Sequence, residues 1–200
     1  MVIHDDNLKR TTGLDARVEE CSTQQLRGLD AGAWFDRSFR GERIPLLDEV
    51  FELLAGRMYY DIELKWGRRG SGGLEAAVIE RIRAHGLQDR CLISSFNPYC
   101  IRTVRRLSPE LPTAHIYARH PSVPLVLRRG WARLVIPTPL IKPHSPQIRP
   151  LSAFLYKYIV KSKVVAWTVD DPNEAMRLVR LGVAGIISND PGRIKSLISR

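Results

Sequence analysis

Short apolar runs alternate along this sequence with segments in which apolar residues recur at helical spacing. This alternation limits the possible folds more than any other feature. Each run is rich in β-branched or aromatic residues, and turn residues follow it before the helical spacing begins. The predicted strands are Met58–Leu64, Cys91–Ser95, Thr113–Tyr117, Leu134–Pro137, Val164–Val169 and Gly185–Ser188. The predicted helices are Leu46–Leu54, Gly73–His85, Pro98–Leu107, Val123–Arg129, Ser152–Lys161, Pro172–Leu181 and Pro191–Ser199.

Helix-start signals support several of these helices. Asn97, Asp171 and Asp190 each precede a proline, so an N-cap side chain stands before a proline in the first turn. Six strands, each followed by a helix, predict a parallel sheet, arranged either as an open doubly wound sheet or as a (β/α)8 barrel. A glycine-rich phosphate loop follows none of the strands, which argues against a nucleotide-binding sheet.

The first fifty residues do not follow the alternation. They are polar and rich in turn signals such as those around Gly13, Gly32 and Gly41. We expect one domain over residues 1–200, in which residues 5–45 form a long polar insertion and residues 46–200 form six β/α units.

The charge balance indicates an anionic partner. Lysine and arginine exceed aspartate and glutamate by ten, which favours phosphate esters, anionic lipid or nucleic acid. The chain has neither eighteen consecutive apolar residues nor the pattern of a signal peptide, so we expect a cytoplasmic protein. Cys21, Cys91 and Cys100 lack zinc-site spacing and are odd in number, which predicts reduced, buried thiols.

Polar or aromatic residues follow several predicted strands, where parallel α/β barrels carry their working residues. Glu63 and Lys65 share one face of their strand, and such a pair suits a hard cation and a phosphate oxygen. A structural ion pair inside a barrel is the alternative. His4 follows a short apolar run and has the titration range for giving a proton to an alkoxide that leaves phosphorus. A purely structural histidine is the alternative there.

The same positions belong to segments that resemble motifs of the glycerophosphodiester phosphodiesterase family, in the family's order. The segments are HDDNLKRTTG at 4–13, LDAGAWF at 29–35, GERIPLLDEV at 41–50, ELK at 63–65, SSF at 94–96, AWTV at 166–169 and GVAGIISNDP at 182–191. They cover nearly the whole chain. Two positions depart from the family pattern, because Ala184 and Asn189 stand where aspartate is usual or frequent.

This resemblance implies a TIM-type barrel that hydrolyses glycerophosphodiesters to glycerol 3-phosphate and an alcohol, with a divalent cation, calcium or magnesium. By position, His4 matches the acid that protonates the leaving alcohol, Glu63 a metal ligand and Lys65 a cation for the phosphoryl oxygens. Phe96 and Trp167 match an apolar wall for the glycerol moiety, or else plain barrel packing. The implied partner is a small phosphodiester and not nucleic acid. Basic helical clusters allow peripheral contact with an anionic membrane.

The family pattern also begins with a strand ending in His-Arg-Gly and a second strand bearing Glu-x-Asp, and neither motif occurs in these 200 residues. We therefore expect a barrel that lacks roughly its first two strands and holds its cation weakly, because affinity follows carboxylate number. The sequence leaves two further functions open, an inactive or regulatory barrel fragment and a lysophospholipase D-type activity at a membrane. The alcohol group, the choice of metal and the oligomeric state are also left open.

Overall fold

The chain divides into two units, Met1–Met58 and Tyr59–Arg200. The structure, a computed structural model, describes residues 1–65, 72–119, 128 and 136–198. No helix within these described ranges is long and apolar enough to cross a membrane.

The N-terminal unit, Met1–Met58, is built from short helices around a small core. Its α-helices are α1 (Lys9–Thr12), α2 (Thr23–Arg27) and α3 (Leu47–Leu54), with 3-10 turns at Val18–Glu20 and Arg37–Phe39. Leu8, Leu26 and Ile44 are buried at its centre. The residues predicted as a polar insertion thus enclose apolar side chains of their own, and burying them stabilises the turns between the helices.

An ion pair joins α2 to α3 within this unit. Arg27 on α2 donates two hydrogen bonds to the carboxylate of Glu49 on α3, at 2.7 and 2.6 Å. The same guanidinium donates to the carbonyl oxygen of Ile44 at 3.2 Å. Glu49 in turn accepts a hydrogen bond from the backbone N–H of Leu46, which caps the start of α3.

The C-terminal unit, Tyr59–Arg200, contains a parallel six-stranded sheet, which confirms the prediction of a parallel α/β fold. Its strands are β1 (Tyr60–Glu63), β2 (Cys91–Ser95), β3 (Thr113–Tyr117), β4 (Leu140–Pro143), β5 (Lys163–Ala166) and β6 (Gly185–Ile186). The strands pair in chain order, so β1 and β6 form the two edges of the described sheet. Register pairs Glu63 with Ser94, and a bridge beyond the strands pairs His144 with Trp167.

Helices follow the strands along the chain, as parallel neighbours require. They are α4 (Leu74–Ala84), α5 (Pro98–Leu107), α6 (Pro150–Phe154), α7 (Pro172–Arg180) and α8 (Pro191–Ile198). The predicted N-caps of α5 and α7 are confirmed, because Asn97 accepts from the N–H of Tyr99 and Asp171 accepts from the N–H groups of Asn173 and Glu174.

Several predicted elements differ from the structure in their bounds. The fourth strand lies at Leu140–Pro143, where the chain pairs with both β3 and β5, and the described end of the predicted strand Leu134–Pro137, residues 136–137, is not in a strand. Residues 134–135 lie outside the described residues, as does most of the predicted helix Val123–Arg129. The predicted helix Ser152–Lys161 starts two residues earlier, at Pro150, and continues beyond α6 as a π-helix over Leu155–Ile159.

The core of the C-terminal unit lies between the sheet and its last helices. Ile141, Val164 and Ala166 from the strands pack against Leu178 of α7 and Ile194 of α8. These side chains are almost completely buried. Their burial fixes the strands in place and leaves the residues that follow each strand at one end of the sheet.

Candidate functional site

An aromatic cluster lies at the carboxyl end of the sheet. Phe96 follows β2 and Trp167 follows β5, and their rings meet edge to face with centroids 5.7 Å apart. The ring of His144, which follows β4, lies 5.2 Å from that of Trp167. The indole N–H of Trp167 donates to the carbonyl oxygen of Lys142 at 2.7 Å, which fixes the ring. The structure therefore brings together the two aromatic residues singled out from the sequence.

Within the strands themselves, a lysine on β4 forms a polar network with an aspartate on β1 and a serine on β2. The ammonium group of Lys142 donates to Asp61 at 2.6 Å and to Ser94 at 3.0 Å. The hydroxyl of Ser94 donates to the other carboxylate oxygen of Asp61 at 2.9 Å. The side chain of Lys142 is 6% exposed and that of Asp61 is 36% exposed. The positive charge is thus buried, and Asp61 neutralises it.

Glu63 and Lys65 lie at the end of β1, on the same side of the strand as Asp61 by alternation. Glu63 is exposed and Lys65 is half-buried. Between them, two hydrogen bonds join the backbone of Leu64 to β2. Its N–H donates to the carbonyl oxygen of Ser94 at 2.8 Å, and its carbonyl oxygen accepts from the hydroxyl of Ser95 at 2.7 Å. The backbone around both predicted site residues is therefore anchored to β2.

The residues present do not form a tight metal site. Within the described part of the chain, no three His, Cys, Asp or Glu side chains come together in an arrangement that holds a metal ion. Glu63 contributes one carboxylate, and affinity for calcium or magnesium rises with the number of carboxylates. A cation held by Glu63 and water alone would exchange readily.

In the N-terminal unit, His4 belongs to a hydrogen-bonded chain of charged groups. Its Nδ1 lies 2.7 Å from Oδ1 of Asp5, and Arg10 donates to both oxygens of that carboxylate, at 2.5 and 3.1 Å. The guanidinium of Arg10, and then the imidazole of His4, hold the pKa of Asp5 well below its usual range. The His4 side chain is 80% exposed. The hydrogen bond between Nδ1 and the ionised Asp5 orients the imidazole.

A cavity of about 790 Å³ opens beside this chain of groups, within the same unit. Arg37 and Arg40 line it together with Thr11, Thr12 and the indole of Trp34. Asp30 also lines it, and its carboxylate accepts hydrogen bonds from backbone N–H groups of the same unit. The guanidinium of Arg10 lies 4.6 Å from the centroid of the Trp34 ring. Guanidinium and hydroxyl groups around an open cavity suit a phosphate ester.

Two residues near the carboxyl end of the sheet were not predicted as part of the site. His144 packs against Trp167, which is compatible with a structural histidine. Lys142 received no role, yet it holds the charged network. Both follow from the misplaced fourth strand, because a strand at Leu140–Pro143 puts Lys142 inside it and His144 directly after it. The sequence signal for both residues is therefore the second apolar run, Leu140–Pro143.

A comparison with protein families identifies the chain. The sequence profile of the glycerophosphoryl diester phosphodiesterase family matches residues 1–193. The chain belongs to this family. Among relatives, it is 31% identical to a glycerophosphodiester phosphodiesterase of Caldanaerobacter subterraneus subsp. tengcongensis, over 100% of this chain and 80% of that protein. It is 28% identical to a glycerophosphodiester phosphodiesterase of Bacillus altitudinis, over 96% of this chain and 78% of that protein.

Solved structures of the family share the fold. An Oleispira antarctica phosphodiesterase in complex with the product sn-glycerol-3-phosphate superposes with a TM-score of 0.83 and 28% identity, over 99% of this chain and 78% of that chain. A glycerophosphodiester phosphodiesterase from Agrobacterium tumefaciens superposes with a TM-score of 0.75 and 24% identity, over 97% of this chain and 79% of that chain. The six parallel strands thus correspond to part of the family's barrel.

Proposed function

We propose that this chain hydrolyses glycerophosphodiesters, releasing glycerol 3-phosphate and an alcohol. Water bonds to phosphorus, the P–O bond to the alcohol breaks, and the leaving oxygen takes up a proton. Two findings support the substrate class, the family match over residues 1–193 and the similarity to a phosphodiesterase that binds sn-glycerol-3-phosphate. The observation that carries the proposal is the hydrogen-bonded chain of His4, Asp5 and Arg10.

We assign the proton donor to His4. The 2.7 Å hydrogen bond between Nδ1 and Asp5 orients the imidazole, so that Nε2 is the ring nitrogen that exchanges a proton with the substrate. Asp5 is held ionised by Arg10, so it serves this purpose down to low pH. General acid catalysis of this kind contributes about 10²–10⁴-fold in rate.

We assign Lys65 to the phosphoryl oxygens and the pair of Phe96 and Trp167 to the glycerol moiety. An ammonium group next to a phosphoryl oxygen neutralises the charge that develops as the diester is attacked. The edge-to-face ring pair offers an apolar surface against which carbon atoms of glycerol pack. Two observations support both assignments. The residues lie just after β1, β2 and β5, and they belong to segments that resemble motifs of the family.

We propose a divalent cation, calcium or magnesium, as the cofactor that the family resemblance implies, with Glu63 as one ligand. When bound, such a cation would polarise the phosphoryl group. Because Glu63 is a single carboxylate, we expect weak binding. The roles of His4 and Lys65 are assigned to their own side chains and do not depend on the identity of the cation.

A second candidate function is a non-catalytic barrel that binds phosphodiesters or their products. The lack of three clustered metal ligands among the described residues favours it. Nucleic-acid binding would rest on net charge alone, and we do not propose it.

The test is release of glycerol 3-phosphate from glycerophosphocholine, with calcium or magnesium added, by the native chain and two variants. His4→Asn should lower kcat by about 10²–10⁴-fold. His85→Asn is the matched control, because His85 ends α4, away from the family motifs, and its replacement should leave kcat unchanged.

Calorimetry with glycerol 3-phosphate separates the two candidates. Turnover that depends on His4 supports the hydrolase. Binding of glycerol 3-phosphate without turnover supports the non-catalytic barrel, and equal turnover by His4→Asn and native protein overturns the role of His4.

A further inference from the structure

An apolar stripe runs along the outer face of the segment Pro150–Ile159, which comprises α6 and the π-helix that follows it. The stripe consists of Leu151, Phe154, Leu155, Tyr158 and Ile159. These side chains are between 41 and 71% exposed. The rings of Phe154 and Tyr158 lie 4.9 Å apart, so neighbouring members of the stripe touch.

The opposite face of the same segment is already used by the fold. Ala153 and Tyr156 are buried in the core of the C-terminal unit, and Val160 packs against that core. The segment is therefore apolar on both faces. Exposed apolar patches of this kind mark interaction sites, so the stripe points to a partner outside the described part of the chain.

The charge of the stretch of sequence that contains the stripe favours an anionic partner. Between Glu110 and Asp170 the chain contains no acidic residue and nine basic residues. The rest of the chain carries 22 basic and 21 acidic residues, so this stretch accounts for nearly all of the net charge of +10. Three exposed lysines, Lys157, Lys161 and Lys163, lie on or directly after the segment.

We propose that the segment Pro150–Ile159 docks on the surface of a bilayer that contains anionic phospholipid. The stripe would enter the boundary between head groups and acyl chains, as amphipathic surface helices do. Lysine stems run along apolar surface while their ammonium groups reach the lipid phosphates. Tyr158 suits this depth, because its ring is apolar and its hydroxyl stays in contact with water.

A bilayer explains the combination of stripe and charge better than a protein partner. An anionic membrane supplies an apolar layer and a dense sheet of phosphates at once, over an area larger than the stripe. A second copy of this chain would bring the same basic residues against themselves, and like charges at an interface are unfavourable.

Docking extends the proposed function to substrates that reside in membranes. Lysophospholipids carry the same phosphodiester and stay in the bilayer, so a docked enzyme would meet them there. Vesicle binding is measured without substrate, so its failure would not affect the proposed hydrolysis, and lack of turnover would not affect docking.

The experiment is flotation of the full 200-residue chain with vesicles of phosphatidylcholine alone or mixed with an equal amount of phosphatidylglycerol. The stripe variant combines Leu151→Gln with Ile159→Gln and should weaken binding to the mixed vesicles about a hundred-fold. Leu53→Gln is its matched control, because Leu53 is 73% exposed on α3 and lies outside the stripe.

The charge variant combines Lys157→Gln with Lys163→Gln and should lose about five-fold in affinity per lysine. Its matched control combines Arg193→Gln with Lys195→Gln on α8, which should bind as the native chain does. Circular dichroism of each variant confirms that the fold is retained.

Binding that needs phosphatidylglycerol, the stripe and the two lysines supports docking. Equal binding by the stripe variant and the native chain overturns it, as does equal binding to vesicles with and without phosphatidylglycerol. Light scattering supplies a further check. If the native chain is a dimer and the stripe variant a monomer, while vesicle binding is unchanged, the stripe is a protein interface and the proposal is wrong.

Discussion

Replacing Asp61 by asparagine should destabilise the C-terminal unit by leaving a buried ammonium group without its counter-charge. The ammonium of Lys142 has two hydrogen-bond acceptors in the structure, Asp61 at 2.6 Å and Ser94 at 3.0 Å. Asparagine keeps the shape and a hydrogen-bond acceptor but removes the negative charge. The cost is therefore mainly electrostatic.

The magnitude follows from the exposure of the two side chains. Breaking a fully buried ion pair by neutralising one partner costs about 3–5 kcal/mol. The Asp61 side chain is 36% exposed, so water screens part of the interaction, and we expect a loss of about 2–3 kcal/mol. Lys142→Met leaves a carboxylate that water reaches and that Ser94 still contacts, so it should cost only about 1 kcal/mol.

Urea denaturation followed by circular dichroism and by fluorescence measures these losses. The double variant, Asp61→Asn with Lys142→Met, should be more stable than Asp61→Asn alone, because the buried charge is gone. Asp15→Asn is the matched control. Asp15 contacts Lys9 at 2.8 Å, but both side chains are more than 60% exposed, so water screens this pair and Asp15→Asn should cost far less stability than Asp61→Asn.

Two outcomes would refute the reasoning. The first is a loss for Asp61→Asn no larger than that for Asp15→Asn, which would mean that the Lys142 ammonium is well solvated. The second is strict additivity in the double variant, which would mean that the two side chains do not interact in the folded state.

Two further predictions concern titratable groups. The lowered pKa of Asp5 in the folded state contributes stability that is present above its unfolded pKa of about 3.9 and is lost as the pH falls through the lowered value. Asp5→Asn should therefore be less stable than the native chain at pH 7, and the difference should shrink as the pH falls below about 3.9; urea titrations that give the same difference at pH 7 and at pH 3 would contradict this. Burial raises the pKa of Cys91 to about 11 and that of Cys100 to about 12, whereas Cys21 is partly exposed. A thiol reagent at pH 8 should therefore modify Cys21 alone in native protein and all three cysteines in urea, and rapid modification of Cys100 in native protein would count against this burial.

Helix starts could be read from the sequence because their physics is local. The helix Pro98–Leu107 has the predicted bounds, since Asn97 caps a backbone N–H two residues away and Pro98 favours the first turn. The position of Phe96 followed in the same way, directly after the predicted strand Cys91–Ser95, whereas Trp167 lay inside the predicted strand Val164–Val169 and follows β5 only because that strand ends at Ala166. Their edge-to-face contact was not predicted, because it joins residues that follow different strands.

The fourth strand shows where local reasoning fails. Two apolar runs, at 134–137 and 140–143, are separated by prolines, and the first contains the stronger strand formers. Pairing with β3 and β5 selects the second run, and a register of this kind depends on neighbours distant in sequence. For that reason, neither the ion pair of Lys142 with Asp61 nor the contact of His144 with Trp167 was predicted.

The sequence by itself determined the family, the parallel α/β class, the helix starts and the identity of the candidate residues His4, Glu63, Lys65, Phe96 and Trp167. These depend on motif order, on period and on contacts a few residues apart. Only the tertiary structure decided that Asp61 neutralises a lysine 81 residues away and that an apolar stripe on α6 and its π-helix is left exposed. Both depend on which surfaces meet when the strands align, and a linear pattern does not contain that information.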